Sequence, residues 1–343
     1  MASYQGARAH YLSPRRRDPV KIRMEELVSH DIFAHAVRRL RLPAGQPLRV
    51  LDVGSGTGDG LALLTEPHGD LEPVTSGYQL RYLGLDADPT MVETARSLHP
   101  AEGVAFEVGD IRDWPADGAF DLYLSCGVPY SHLTVDEVGK TLTSLFRQIV
   151  RAGRRAALVV DVLGRYSVEW QPNWPHTRWD YAMTFFEDTA ERLEEPMKFF
   201  DRASLGAVIA AAAEDAEVRP AEVTFTDRSI LVGRHTATRA FNPAIPPYRS
   251  LLNNLAQGSS AVPPSDLRFT APRAGAPRDV LAFFREWEQR WNALLERAGE
   301  PDVPLDPDRA VELAAALLRH ERQAQRGLGA GHSLTATVIV DTR

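Results

Sequence analysis

The pattern of apolar and polar positions predicts strands and helices in alternation. Short apolar runs, of the length typical of buried strands, lie at about residues 48–53, 81–86, 104–108, 120–125 and 156–162. Helical spacing of apolar residues separates them, and a further amphipathic helix is predicted over residues 23–40. This alternation predicts an α/β fold with a doubly wound, mostly parallel sheet, whose ligands bind at the carboxyl ends of its strands.

Two longer segments interrupt the alternation. The fifth strand leads into residues 166–187, which are dense in aromatic side chains, and the next helical pattern begins only at about residue 202. A sixth strand is predicted within residues 223–235, and a seventh at residues 333–340. We therefore expect a seven-stranded sheet that carries an aromatic insertion and, between its last two strands, a mainly helical insertion.

These elements predict four segments along the chain. Residues 1–44 would form an N-terminal arm and cap helix, residues 45–239 the core, residues 240–331 the helical insertion and residues 332–343 the final strand. Both insertions leave strands at their carboxyl ends, so we expect them to form a lid over the ligand site. A peripheral decoration and a dimerisation surface are the alternatives.

The most specific motif is a glycine run after the first strand. Asp52 precedes alternating glycines from Gly54 to Gly58. The dinucleotide pattern G-x-G-x-x-G fails in both registers because Asp59 and Leu61 stand where its last glycine should be, and no Gly-Lys-Ser/Thr of a P-loop follows. An acidic residue ahead of alternating glycines suits a cationic ligand, such as an amino group or a sulfonium, better than a polyphosphate.

Together with three later segments, this run resembles the class I S-adenosylmethionine-dependent methyltransferases. The second predicted strand ends at Asp86, Gly109-Asp110-Ile111 follows the third, and Ser125-Cys126-Gly127 ends the fourth. The resemblance covers about residues 45–165 and implies a Rossmann-like fold with S-adenosylmethionine as cofactor. It also implies a set of cofactor-binding residues, namely Asp52, Gly54, Ser55, Gly56, Asp86, Ala87, Asp110, Ile111, Ser125 and Cys126.

The resemblance assigns a part of the cofactor to most of these residues. Asp52 and the glycines are matched to the methionine part, and Asp86 to the ribose hydroxyls. Asp110 would accept a hydrogen bond from the adenine amino group while Ile111 packs on the ring. The end of the fourth strand would lie beside the sulfonium.

His132, Tyr130 and Asp161 are the candidate catalytic residues. Family members that methylate exocyclic amines or amides carry Asn/Asp-Pro-Pro-Tyr after the fourth strand, whereas this chain has Gly127-Val128-Pro129-Tyr130, which puts such an acceptor in doubt. His132 is the first candidate for a base because histidine exchanges protons near neutral pH. A histidine bonded to the backbone and an aspartate that caps a turn are the alternatives. No metal is expected, since no metal-ligand spacing such as H-E-x-x-H occurs.

The aromatic segment has two interpretations. It could pack the lid onto the sheet, or it could form an aromatic box around a sulfonium or a flat substrate, because ring faces attract cations. The candidate substrate and lid residues are Tyr166, Trp170, Trp174, Trp179 and Tyr181, with Phe185 and Phe186 in the same segment. Arg165, and with it Arg178 and Arg249, could pair with a substrate carboxylate; a solvated surface position is the alternative for each.

Composition narrows the partners and the compartment. The net charge of −7 argues against nucleic acid as the main partner, and the single Cys126 excludes an internal disulfide. No apolar run reaches the roughly 18 residues of a membrane span, and no signal peptide is recognised, so we expect a soluble cytoplasmic protein with a small-molecule substrate. The oligomeric state is left open, with a homodimer as one option.

Three functions fit these observations. The leading one is in-line methyl transfer from S-adenosylmethionine to a small-molecule metabolite under the lid. In the second, S-adenosylmethionine is itself the substrate, and cyclisation of its aminobutyrate arm yields azetidine-2-carboxylate and releases methylthioadenosine. The third is a non-catalytic protein that binds the cofactor, against which the intact glycines and acidic residues count.

Overall fold

The alternating strands and helices fold around one branched sheet. The computed structural model describes residues 17–43, 45–113, 118–183, 193–233 and 241–342, and this part of the chain contains nine strands. The strands are β1 Pro47–Val53, β2 Gln79–Asp86, β3 Val104–Val108, β4 Leu122–Ser125, β5 Ala156–Gly164, β6 Arg178–Met183, β7 Leu193–Phe200, β8 Pro220–Arg228 and β9 Ser333–Val340.

Strand order follows the doubly wound pattern. The strands β3, β2, β1, β4 and β5 are neighbours in that order and all parallel, and β9 pairs antiparallel with both β5 and β8. The order reverses between β1 and β4, and such a switch point opens a crevice at the carboxyl ends of the strands. The predicted parallel-dominated α/β class is therefore confirmed.

The aromatic insertion corrects the predicted strand number. It contains the antiparallel hairpin of β6 and β7, which raises the seven predicted strands to nine. The end of β7 pairs with Leu163 and Gly164, the last residues of β5, beyond the point where β4 has stopped. The insertion also extends to Phe200, past its predicted end at residue 187. The aromatic cluster indicated a buried segment but not the position of the strand that pairs with it. Phe185 and Phe186 lie outside the described residues.

Helices cover both faces of the sheet. They are α1 Glu26–Leu40, which continues a π-helical turn at Lys21–Glu25, then α2 Asp59–Thr65, α3 Pro89–Leu98, α4 Val135–Ala152, α5 Arg202–Asp215, α6 Tyr248–Ala256, α7 Arg278–Ala298 and α8 Pro307–Gln323. One face packs under α4 and α5, where Phe146, Leu205 and Ile209 are buried. The opposite face packs under α1 and shares its apolar core with the helical insertion.

The helical insertion begins and ends at the ligand-binding edge. Arg228 ends β8 and Ser333 starts β9, and the two are paired in register at the edge where β5 also ends. Within the insertion, Phe284 of α7 stacks on Trp174 of the aromatic segment, with ring centroids 6.0 Å apart. The two predicted insertions therefore pack on each other, while their role as a lid stays a prediction.

A buried ion cluster joins the insertion to the N-terminal segment. Arg249 of α6 donates to Glu25 at 2.8 Å and to Asp18 at 2.7 Å, and Asn253 donates to Asp18 at 2.9 Å. Arg249 was a candidate to bind a substrate carboxylate, but the structure commits its guanidinium to these carboxylates and to backbone carbonyls of residues 232 and 233. The prediction for Arg249 is therefore wrong, because its partners lie in sequence too far away for local patterns to reveal.

We expect Arg249→Leu to lower the free energy of unfolding by about 3 kcal/mol, because it removes the positive charge that pairs with the buried Glu25 carboxylate. Urea denaturation followed by circular dichroism measures this change. The matched control is Arg290→Leu in the exposed pair with Glu286, which should cost less than about 1 kcal/mol. Equal effects of the two substitutions would contradict a stabilising role of the buried cluster.

Candidate active site

The glycine loop, residues 54–58, leads from β1 to α2 at the switch point. Gly54, Gly56 and Gly58 all have positive φ, of 65°, 53° and 96°. At Gly54 a side chain is excluded for two reasons. Its φ lies in the left-handed region, and a Cβ there would lie 2.5 Å from Cβ of Pro129. The loop thus keeps its backbone close to the turn that follows β4.

Asp52, near the end of β1 and two residues before this loop, is fully buried. Its Oδ2 accepts a hydrogen bond of 2.6 Å from the Tyr82 hydroxyl. Its Oδ1, like Oγ of Ser55, is buried without a hydrogen-bond partner among the described residues. Buried polar atoms are normally paired, so both atoms point to a polar ligand. Sequence reasoning missed Tyr82, which stands in the middle of β2.

Burial controls the protonation of Asp52. Desolvation raises its pKa to about 7, the hydrogen bond from Tyr82 works in the opposite direction, and the nearby charge of Asp86 raises the pKa further. The carboxyl is thus easily protonated without a ligand, and a cation placed against it would favour the ionised form.

Asp86 lies at the end of β2, within hydrogen-bond distance of the glycine loop. Its Oδ2 accepts from the Gly56 amide at 2.8 Å and its Oδ1 from the Asp88 amide at 2.9 Å. Burial raises the pKa of Asp86, and the backbone amides oppose that shift. Each carboxylate oxygen has a second lone pair, so the group can still accept bonds from two ribose hydroxyls. Ala87 beside it is exposed.

Asp110 and Ile111 follow β3 at the same edge. The Asp110 carboxylate accepts hydrogen bonds from the Arg112 side chain and amide, and Arg112 also pairs with Glu137. The hydrogen bond from Arg112 lowers the pKa of Asp110. The carboxylate is therefore ionised and oriented, while its contact with adenine and that of Ile111 stay predictions.

The hydroxyl of Ser125 is bonded within the protein, while the predicted place of this residue beside the sulfonium stays a prediction. Its hydroxyl donates to the Val159 carbonyl at 2.8 Å and accepts from the Asp161 amide at 2.9 Å. The side chain therefore joins β4 to β5, and both of its hydrogen-bonding functions are used. Cys126, the next residue, is half-buried, and its place beside the sulfonium stays a prediction.

Asp161 is likewise committed to the protein rather than to a substrate. Its Oδ2 accepts from the amides of Gly127 and Val128, at 3.0 and 3.2 Å, and from Arg228 at 3.0 Å. Its Oδ1 accepts from Thr335 at 3.1 Å. All four of these hydrogen bonds come from the protein itself, so the catalytic prediction for Asp161 is not supported by its surroundings.

His132 and Tyr130 lie on a 3₁₀ turn, residues 129–132, that follows β4. Nδ1 of His132 is 3.0 Å from Oε2 of Glu195, on β7 of the hairpin. His132 is also close enough to Asp86 for its charge to lower the pKa of that carboxyl. Tyr130 is buried, and burial followed by the charge of Asp52 raises the pKa of its hydroxyl. Sequence reasoning found His132 but not Glu195, which the hairpin brings in from 63 positions away.

The aromatic side chains mostly contact one another. Trp170 packs edge-on against Phe199 and Tyr181, and Trp179 stacks on Phe199 with centroids 4.4 Å apart. Trp170 and Trp174 are fully buried, and their indole N–H groups donate to backbone carbonyls of residues 164 and 167. The structure therefore favours the packing interpretation over an aromatic box.

Tyr166 and Arg165 belong to the same packed region. The Arg165 guanidinium lies 5.1 Å from the centre of the Tyr166 ring, 3.3 Å from Asp201 and within hydrogen-bond distance of the Trp174 carbonyl. These contacts do not support the prediction that Arg165 binds a substrate carboxylate. Arg178, the third arginine candidate, is exposed on β6.

Comparison with known proteins identifies a family for the segment that carries most of these residues. Residues 50–153 match the family described as a methyltransferase domain. This segment spans β1 to the end of α4 and so includes the glycine loop, Asp86, Asp110 and His132. Residues 50–153 are therefore a methyltransferase domain of the class I S-adenosylmethionine-dependent kind, whose cofactor is S-adenosylmethionine.

Individual known proteins resemble the chain only in part. A probable fatty acid methyltransferase of Pseudomonas putida is 32% identical over 136 residues, which cover 38% of this chain and 30% of that protein. The chain therefore spans under a third of the length of this curated relative. Among solved structures, DesVI of Streptomyces venezuelae is 16% identical with a TM-score of 0.43, over 66% of this chain and 94% of its own. The sugar N-methyltransferase KedS8 of a Streptoalloteichus species is 17% identical with a TM-score of 0.39, over 58% and 81%.

The described residues fit the methyltransferase cofactor. The unpaired Oδ1 of Asp52 suits the amino group or the sulfonium, and the oriented carboxylate of Asp86 suits a ribose diol. Elsewhere in the described part of the chain, no cluster of three His, Cys, Asp or Glu side chains is arranged as a metal site. No described helix combines the length and the apolar character needed to cross a membrane.

We expect binding of S-adenosylmethionine to release a proton at pH below about 7 and to tighten as the pH rises from about 6 to about 8, because the cation favours ionised Asp52. Calorimetric titration at about pH 6.5, in two buffers of different ionisation enthalpy, measures the proton release. Asp52→Asn is the control and should remove it. Proton release of the same size in the variant would show that another group is responsible.

Proposed function

We propose that the protein transfers a methyl group from S-adenosylmethionine to a small-molecule acceptor bound beside the His132–Glu195 pair. This pair is the observation that carries the proposal. The histidine is close to the predicted ribose ligand Asp86, and its Nδ1 is held by a carboxylate from the hairpin. A carboxylate on one ring nitrogen orients the other nitrogen and favours uptake of a proton.

The pair suits an acceptor that loses a proton on methylation. Bound S-adenosylmethionine supplies an electrophilic methyl group whose bond to sulfur breaks as a neutral thioether leaves. The acceptor lone pair forms the new bond to carbon, and we propose that Nε2 of His132 takes the acceptor proton while Glu195 stabilises the imidazolium. Electrons and protons balance in this step without a redox partner or a metal.

An enclosed, small acceptor is the substrate class that the surroundings favour. The aromatic hairpin and the helical insertion both start at the ligand-binding edge and pack on each other through Trp174 and Phe284. The acidic balance of the chain, with a net charge of −7, does not favour a nucleic-acid acceptor. We propose that the packed insertions act as the lid that excludes water from the reaction.

The sulfur product distinguishes this function from its alternatives. Purified protein is incubated with S-adenosylmethionine, with and without a deproteinised metabolite extract, and the products are identified by mass spectrometry. We expect S-adenosylhomocysteine that depends on the extract. Methylthioadenosine formed without the extract would instead indicate cyclisation of the aminobutyrate arm, and bound but unchanged cofactor would indicate a non-catalytic protein.

We expect His132→Gln to lower the rate of S-adenosylhomocysteine formation by roughly 100-fold, because a positioned general base contributes at least about this factor. Glu195→Gln should have a smaller effect in the same direction, and both variants should retain their affinity for S-adenosylmethionine in calorimetry. His176→Gln, at an exposed histidine, is the matched control and should leave the rate unchanged. A wild-type rate in the His132 variant would contradict the proposed base.

A further inference from the structure

The β4 loop, residues 126–129, contains an unusual backbone conformation. Val128 has φ 61° and ψ 38°, in the left-handed region that side chains branched at Cβ strongly avoid. Gly127 before it has φ 90°. A residue held in such a conformation persists only where its surroundings impose it, and such residues cluster at functional sites.

Asp161 imposes this conformation. One oxygen of its carboxylate, Oδ2, accepts hydrogen bonds from the amides of both Gly127 and Val128. The two N–H groups therefore converge on that oxygen. Amides of consecutive residues can converge on one acceptor in a tight turn of this kind, and the carboxylate supplies the negative charge that stabilises the turn. The valine therefore adopts its strained conformation in exchange for two charge-assisted hydrogen bonds.

The carboxylate is itself held from three other elements. Thr335 of β9 donates to its Oδ1, and Arg228 at the end of β8 donates to its Oδ2. The Arg228 guanidinium is fixed in turn by Ser333 of β9 at 3.1 Å and by Ser29 of α1 at 3.0 Å. Asp161 and Arg228 have almost no exposed side-chain surface. The anchor of the β4 loop is thus rigid and shielded from solvent.

The β4 loop in turn touches the glycine loop. Pro129 lies so close to Gly54 that no Cβ would fit between them. A displacement of Val128 and Pro129 would therefore change the space available to the glycine loop, which begins two residues after Asp52 and its unpaired Oδ1. At the predicted adenosine end of the site, the Asp86 carboxylate accepts from Gly56 of the glycine loop and from Asp88, but from no residue of the β4 loop.

From these contacts we infer that Asp161, supported by Arg228, is a positioning residue that presses the β4 loop against the glycine loop and thereby places the methionine and sulfonium end of the bound cofactor. It acts through the amides of Gly127 and Val128 and does not touch the reacting atoms. The inference rests on the cofactor of the proposed function, but it concerns binding geometry and needs no acceptor.

The test compares a full-length and a truncated ligand. Affinities for S-adenosylmethionine and for adenosine are measured by calorimetry on the full chain, together with the midpoint of thermal unfolding. In Asp161→Asn we expect the affinity for S-adenosylmethionine to fall about tenfold, while that for adenosine changes by less than about twofold, because only the former reaches the β4 loop.

The matched control is Asp227→Asn. Asp227 is also fully buried, and its carboxylate accepts hydrogen bonds from the amides of residues 328–330. The loop that it holds leads into β9 rather than to the glycine loop. This variant should lower the unfolding midpoint without changing the ratio of the two affinities. If Asp161→Asn behaves in the same way, its role is merely structural and the inference is overturned.

A double-mutant cycle keeps the inference testable if Asp161→Asn is poorly folded. Glycine adopts positive φ freely, so Val128→Gly no longer needs the carboxylate to hold the turn. We expect Val128→Gly added to Asp161→Asn to restore folding and to recover part of the affinity for S-adenosylmethionine, with a non-additive coupling between the two substitutions. Strict additivity would overturn the inference. The affinities are measured without an acceptor. A failure to detect methyl transfer would therefore overturn the proposed function but not this inference.

Discussion

Buried carboxylates that accept backbone amides hold the ligand-binding edge of this protein together. Asp161 holds the β4 loop, Asp227 the return into β9, and Glu321 the segment after β8 through the amides of Ile230 and Leu231. Loops at the edge of a sheet cannot pair their amides with neighbouring strands, yet these loops are buried and need acceptors. Burial raises the pKa of Asp227 and raises that of Glu321 to about 7, and the donated amides oppose the shift.

This constraint explains why the site is assembled from distant parts of the chain. The glycine loop contacts Pro129, Pro129 continues from a turn held by Asp161, and Asp161 is paired with Arg228. The elements that carry the cofactor residues are therefore coupled to β8, β9 and α1 through a few charged groups. The buried Asp52 differs from these carboxylates, because its second oxygen has no hydrogen-bond partner in the described part of the chain. This oxygen is where we predict the cationic end of the cofactor to bind.

The two insertions serve this edge in different ways. The hairpin of β6 and β7 extends β5 and brings Glu195 to His132, while its aromatic rings pack on themselves and on the helical insertion. The helical insertion is fastened to the N-terminal segment by Arg249. The aromatic residues therefore stabilise the hairpin, whereas Glu195 is its contribution to the proposed chemistry.

The amino-acid sequence alone determined the α/β class, the places of the seven core strands, the glycine loop and the cofactor. These features are local, because strand periodicity, positive-φ glycines and an acidic residue at a strand end each depend on neighbours in the chain. Only the tertiary structure decided what Asp161, Ser125, Arg165 and Arg249 do, since a buried polar group takes its role from partners that pack against it. For the same reason the sequence did not indicate Tyr82 and Glu195, which match no motif along their own strands. Tyr82 joins the site because the fold brings it to Asp52, and Glu195 because the fold brings it to His132.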